Sequence, residues 1–187
     1  KNFSISTKIG LYPSIFDGQG TILEMLSRKF IGRIYPKFTL PYINWNIKKA
    51  KISLDNSLRN LNSEQIDILL FHEPELGLIK FDEFKYWLQK EKNNGKILAY
   101  GLAGSSNKIK NIIKFHPNDF NILQANEVIK SKKNNLNIIY NIFKNNIEKS
   151  KEQKIDILRK YIQNNPNLGL LISSNKEKHL LEISKLW

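Results

Sequence analysis

The sequence predicts an α/β fold built from parallel βα units, and three features carry that reading. Apolar runs of strand length alternate along the chain with stretches of helical periodicity. Residues 66–71 (IDILLF) are apolar at five of six positions. Such a run suits a strand covered on both faces, whereas a strand with one solvated face would alternate. The run ends abruptly in His72, Glu73 and Pro74, and strand ends are where reactive polar groups emerge in parallel folds.

Taken in order, residues 3–7 (FSIST) read as a short strand. Residues 46–62 place Ile47, Ala50, Leu54, Leu58 and Leu61 at helical spacing. After the 66–71 strand, residues 81–95 form a helix with Phe81, Phe84 and Leu88 on one face and Gly95 just past its end. Residues 96–103 (KILAYGLA) are a strand, and 105–116 a helix opened by serine caps. Residues 120–124 (FNILQ) and 136–140 (LNIIY) are strands, followed by a helix over 151–165 with Ile155, Leu158 and Ile162 aligned. A strand at 168–172 (LGLLI) and a helix over 175–187 close the chain. The count is six strands, which an open doubly wound sheet can use; an eight-stranded barrel needs two more. Pattern alone leaves both open.

The 187 residues suffice for one domain with a real core, which we place over 1–187. A long loop at 9–41 lies within it, non-periodic apart from a short helix expected over 21–30, and rich in Gly, Pro and aromatic residues. Loops of this length usually shape a binding site. The absence of cysteine excludes disulfides, thiolate chemistry and cysteine-ligated metals. No apolar run reaches the roughly 20 residues of a membrane span, and the first ten residues lack a signal-peptide core, so the expected location is cytoplasmic with no membrane partner. The net charge of +13 comes from 30 basic and 17 acidic residues. The basic positions of 128–160 are interleaved with apolar ones, with no aromatic platform among them. We read them as a solvated lysine-rich surface without a specific nucleic-acid partner. The stretch GQGTIL lacks the third glycine of a dinucleotide fingerprint. The three histidines have no metal-like spacing.

Four phrases occur in a telling order: SISTKIG, SLDNSLRNLNSEQIDILLFHEP, GKILAYGLAGSS and FNILQANEV. Together with a late SS..E helix start, they resemble the aldo-keto reductases, in the subset with a long loop after the lysine strand. The resemblance covers residues 3–187. It implies a (β/α)8 TIM-barrel type fold in which the six strands correspond to the third through the eighth. The first two would lie upstream of Lys1 or be absent.

The resemblance also implies NAD(P)H-dependent interconversion of a small-molecule carbonyl and an alcohol, with NADP(H) or NAD(H) as cofactor. Lys8 resembles the family lysine whose ammonium stabilises the phenolate of an acid tyrosine. His72 resembles the histidine that hydrogen-bonds the substrate carbonyl, a task suited to a neutral imidazole. Glu73 is not expected to partner it, because adjacent strand side chains point to opposite faces. Gln124 resembles the glutamine that holds the nicotinamide carboxamide. Ser173 and Ser174 stand where the cofactor phosphate meets a helix start, and Ser174 has capping-box spacing to Glu177.

Three departures count against an intact enzyme, the alternative being a degenerate, non-catalytic relative that keeps a binding or interaction role. Neither Tyr nor Asp precedes Lys8. Ala103 and Gly104 replace a Ser-Asn pair, leaving Ser105 or Ser106 to compensate. His179 stands in place of a phosphate-binding Arg. Six strands alone expose two edges, so stability calls for a rearranged sheet, strands borrowed from the long loop, or a homo-oligomer that covers the gap.

Overall fold

The computed structural model describes residues 4–12, 41–130, 135–143, 150–165, 168–172 and 177–185. The short helix expected over 21–30 lies outside them, as do Ser173 and Ser174. The chain divides into two compact units, Lys1–Tyr100 and Gly101–Trp187. The first holds β1 (Ser6–Ile9), β2 (Leu11–Tyr12), β3 (Tyr42–Ile43), α1 (Ile47–Asn60), β4 (Ile66–His72) and α2 (Phe81–Asn93). β5 (Ile97–Ala103) runs across the boundary. The second unit continues with α3 (Ser106–Phe115), β6 (Ile122–Ala125), β7 (Leu136–Ile139), α4 (Lys151–Asn164), β8 (Gly169–Leu170) and α5 (Glu177–Ser184).

Six strands pair in the order β1-β4-β5-β6-β7-β8. The pairs β1–β4, β5–β6, β6–β7 and β7–β8 are parallel. These six are the strands expected from the apolar runs. The first differs in register from that expectation: pairing with β4 begins at Ser6 and carries Lys8 inside the strand. The loop at 9–41 also begins more regularly than expected, because Leu11 and Tyr12 pair antiparallel with Ile43 and Tyr42 just after it.

In the first unit, α1 buries Ala50, Leu54 and Leu58, the face its periodicity marks, while Leu61 stays exposed beyond the last turn. The Asn46 side chain starts this helix by accepting from the Lys48 and Lys49 amides. Asn46→Ala is expected to cost about 1 kcal/mol, read as a shift in denaturant midpoint with unchanged slope. α2 buries Phe81, Phe84, Trp87 and Leu88. Phe71 of β4 is fully buried and meets three aromatic rings, with centroids 5.2 Å from Phe84, 5.4 Å from Trp45 and 6.5 Å from Phe81. Trp45 is a half-buried aromatic that periodicity did not reveal. Its ring occupies the space over Gly10, where a Cβ would lie 2.1 Å from the indole. Gly10 also has φ +101°, so glycine is required there for both reasons.

In the second unit, Ile109 and Ile112 of α3 and all four residues of β6 are buried. α4 opens with a full capping box: the Ser150 hydroxyl accepts from the Gln153 amide, and the Ser150 amide donates to the Gln153 side chain.

Candidate functional site

The strand register decides which side chains meet in the first unit. Thr7 and Phe71 mark the helix-facing side: the Thr7 hydroxyl lies 3.3 Å from that of Ser57 in α1, and Phe71 packs on α2. Lys8 is paired with Leu70. Alternation therefore turns Lys8, Leu70 and His72 to the opposite face. Two adjacent parallel strands thus bring the expected lysine and histidine together at their C-terminal ends.

Both side chains are half-buried, and this shapes their chemistry. Burial lowers the pKa of Lys8 from its ordinary value, and the Glu73 carboxylate raises it in partial compensation. Burial also lowers the pKa of His72, the neighbouring Lys8 charge lowers it further, and Glu73 opposes both. The Lys8 charge thus favours the neutral form of the imidazole beside it. That combination can donate hydrogen bonds to an oxygen on which negative charge develops.

Glu73 departs from the sequence-based reading. Alternation holds only while the backbone stays extended, and it stops at His72: Glu73 has φ +52°. The argument that sent Glu73 to the opposite face therefore fails. Its charge acts on both Lys8 and His72.

The second unit presents a different set of groups. Gln124 lies in β6, paired with Ala103 of β5 and Ile138 of β7. Its residue is 2% exposed, its backbone carbonyl accepts from the Gly104 amide at 3.0 Å, and its side-chain Oε1 is buried without a hydrogen-bond partner. A buried amide oxygen left unpaired is costly, so this one is suited to a donor brought by a ligand. Ser105 is the N-cap of α3 but makes no side-chain capping bond. This corrects the expectation of serine caps. Ser106 is the anchored residue: its hydroxyl and its amide both donate to Asn126 Oδ1, at 2.7 and 3.1 Å. Lys110 and Glu127 pair alongside at 2.6 Å, and this ammonium holds the Glu127 carboxyl below its usual range.

Sequence reasoning missed Asn126 and Asn137. Asn126 follows Gln124 by two residues, and that spacing was the available signal. Asn137 of β7 holds the segment after β6 by accepting from the Ile129 amide at 2.9 Å. Gln124 is thus buried within the sheet, and Ala103 and Gly104 are buried without side-chain donors, as their identities imply. Nothing is described of the His179 side chain. Among the described residues, no cluster of three or more His, Asp or Glu side chains could hold a metal ion. No helix among them is long and apolar enough to cross a membrane.

Solved structures decide the fold. A Pseudomonas aeruginosa protein described as an aldo-keto reductase matches with a TM-score of 0.65 at 15% identity, over 98% of this chain and 65% of that one. The chain has an aldo-keto reductase fold. The holo form of an aldo-keto reductase from Bacillus halodurans matches with a TM-score of 0.65 at 12% identity, over 97% of this chain and 66% of that one. The glycerol dehydrogenase of Gluconobacter oxydans has the same fold, with a TM-score of 0.61 at 14% identity, over 98% of this chain and 71% of that one. The chain spans about 65% of the length of the first of these aldo-keto reductase barrels. No protein-family model matches the sequence, and no curated protein matches it.

Proposed function

We propose that this chain supplies part of an NAD(P)H-dependent oxidoreductase that interconverts a carbonyl and an alcohol. The observation that carries this reading is the convergence of Lys8 and His72 on one face at the ends of β1 and β4, both shifted by burial. A bound nicotinamide dinucleotide would supply the hydride. The residues present fit such a group, because the orphaned Gln124 Oε1 can accept from a carboxamide N–H. Each unit has its own task in this reading. In the first, the neutral His72 donates a hydrogen bond to the carbonyl oxygen, and the Lys8 ammonium favours negative charge there until a proton from water completes the alcohol. In the second, Gln124 orients the carboxamide, and Ser105, with its side chain uncommitted to capping, is a polar contact for the same cofactor. Ser173 and Ser174 belong to the proposal through the sequence resemblance alone. The substrate is a small aldehyde or ketone.

Fluorescence titration with NADPH and with NADH, followed by a reductase assay on a panel of aldehydes, tests the reading. Saturable binding that Gln124→Leu weakens about tenfold is expected, the loss of one well-placed hydrogen bond. Binding indifferent to that substitution would remove Gln124 from the site. A second reading, a non-catalytic ligand-binding relative, is favoured by the buried, donor-free Ala103 and Gly104. Saturable dinucleotide binding without hydride transfer to any aldehyde would select it.

A further inference from the structure

We propose that Lys49, Tyr12 and Tyr42 form an oxyanion subsite just beyond β1, which binds a carboxylate or phosphate group carried by the substrate. The inference deepens the proposed function, since it takes the carbonyl compound handled there to be an anionic one. The subsite itself stands on the geometry around Lys49.

That geometry begins with the short ladder after β1. Tyr12 of β2 and Tyr42 of β3 are register partners, so their side chains share one face. Their ring centroids lie 6.1 Å apart. α1 follows β3 closely, and its first turn lays Lys49 across the pair. The ammonium stands 4.8 Å from the Tyr12 ring centroid and 4.3 Å from that of Tyr42, and it donates to the Tyr42 hydroxyl. One cation and two phenols thus share a small space within the first unit. β2 continues from β1 through Gly10, so the cluster lies beyond the C-terminal end of β1, the end that carries Lys8.

Two unmet requirements of these groups point to an anion. Lys49 is half-buried, yet among the described residues no carboxylate pairs with its ammonium. Such a cation is costly to hold, and two aromatic faces offset only part of that cost. The helix adds to the demand: α1 opens with Lys48 and Lys49 and has no acid in its first turn, the reverse of what favours a helix start. The second requirement is that of Tyr12, which is 8% exposed and whose hydroxyl has no hydrogen-bond partner among the described residues. Burial raises the pKa of this phenol, against a smaller opposing effect of the Gly10 backbone, and so keeps it protonated. It is therefore a donor. The Tyr42 hydroxyl, having accepted from Lys49, also has its own proton to give. An ammonium beside two phenol O–H groups suits an oxyanion and repels a cation.

The first test follows acylation of Lys49 in the full parent chain by peptide mass spectrometry, with the exposed Lys48 as internal control. Inorganic phosphate and acetate are titrated separately at constant ionic strength. Saturable slowing at Lys49 but not at Lys48 is expected with at least one of them, and the tighter one tells a phosphate ligand from a carboxylate. In Tyr12→Phe that affinity should fall about tenfold, the loss of one hydrogen bond to a charged group. Equal slowing at Lys48 and Lys49, which general attraction to a basic surface gives, overturns the proposal, and so does no slowing by either anion. Substrate class is read from two matched pairs, succinic semialdehyde against butanal and glyceraldehyde phosphate against glyceraldehyde. Lys49→Met is expected to raise KM about tenfold more for the anionic member of one pair than for its neutral counterpart. Lys49→Arg should recover part of that loss. An equal change within both pairs overturns the assignment of the anionic group to the substrate. Protection of Lys49 in a chain that reduces no carbonyl would sink the oxidoreductase reading and leave the subsite standing.

Discussion

Lys8→Met is expected to lower carbonyl-reductase kcat by about 10²–10³-fold, the scale lost when one preorganised stabiliser of a developing oxyanion is removed. Dinucleotide affinity should stay near that of the parent, since Lys8 is assigned to the reacting oxygen. The pH profile provides a sharper check. Turnover in this reading needs His72 neutral and Lys8 charged, which gives a bell bounded by the two groups. Burial lowers both pKa values. The acid limb should therefore begin below the ordinary histidine value, and the alkaline limb should begin below the ordinary lysine value. Activity falls as pH drops through the lowered His72 pKa and falls again as pH rises through the lowered Lys8 pKa. In Lys8→Met the alkaline limb should disappear from whatever activity remains. If Lys8→Met turns over like the parent with the same limb, Lys8 has no part in the chemistry.

The second large effect is structural and falls on Gly101. A Cβ at this position would lie 2.1 Å from the Ile122 carbonyl oxygen, which is backbone and cannot swing aside. Gly101 and Ile122 are register partners, so any side chain forces β5 and β6 apart. Gly101→Val is expected to cost about 3 kcal/mol or more, measured by urea denaturation followed by circular dichroism. The same substitution should weaken dinucleotide binding, because Gln124 is held two residues beyond Ile122 by the pairing that would be disturbed. A loss of under about 1 kcal/mol would mean that the two backbones are not in such close approach.

Much of the fold was legible because the signals are local. Helix faces follow from spacing within a few residues, and Ala50, Leu54, Phe84, Leu88 and Leu158 are buried where periodicity puts them. The six sheet strands were visible as apolar runs. At the site, residue types and order pointed to Lys8, His72 and Gln124. Ser173 and Ser174 lie outside the described residues.

What the sequence by itself determined about this protein is the alternation of elements, their buried faces and the chemistry available at strand ends, because each depends on neighbours along the chain. Only the tertiary structure decided which groups act together. Pairing Lys8 with Leu70 joins residues far apart in sequence and sets which face each side chain takes. A single backbone dihedral takes Glu73 out of the alternation that the sequence suggested. The serine that secures α3 is Ser106, because Asn126 lies across from it after an intervening helix and strand. Register, a φ angle and a partner twenty positions away are non-local quantities, and the physical forces that set them act only once the chain is packed.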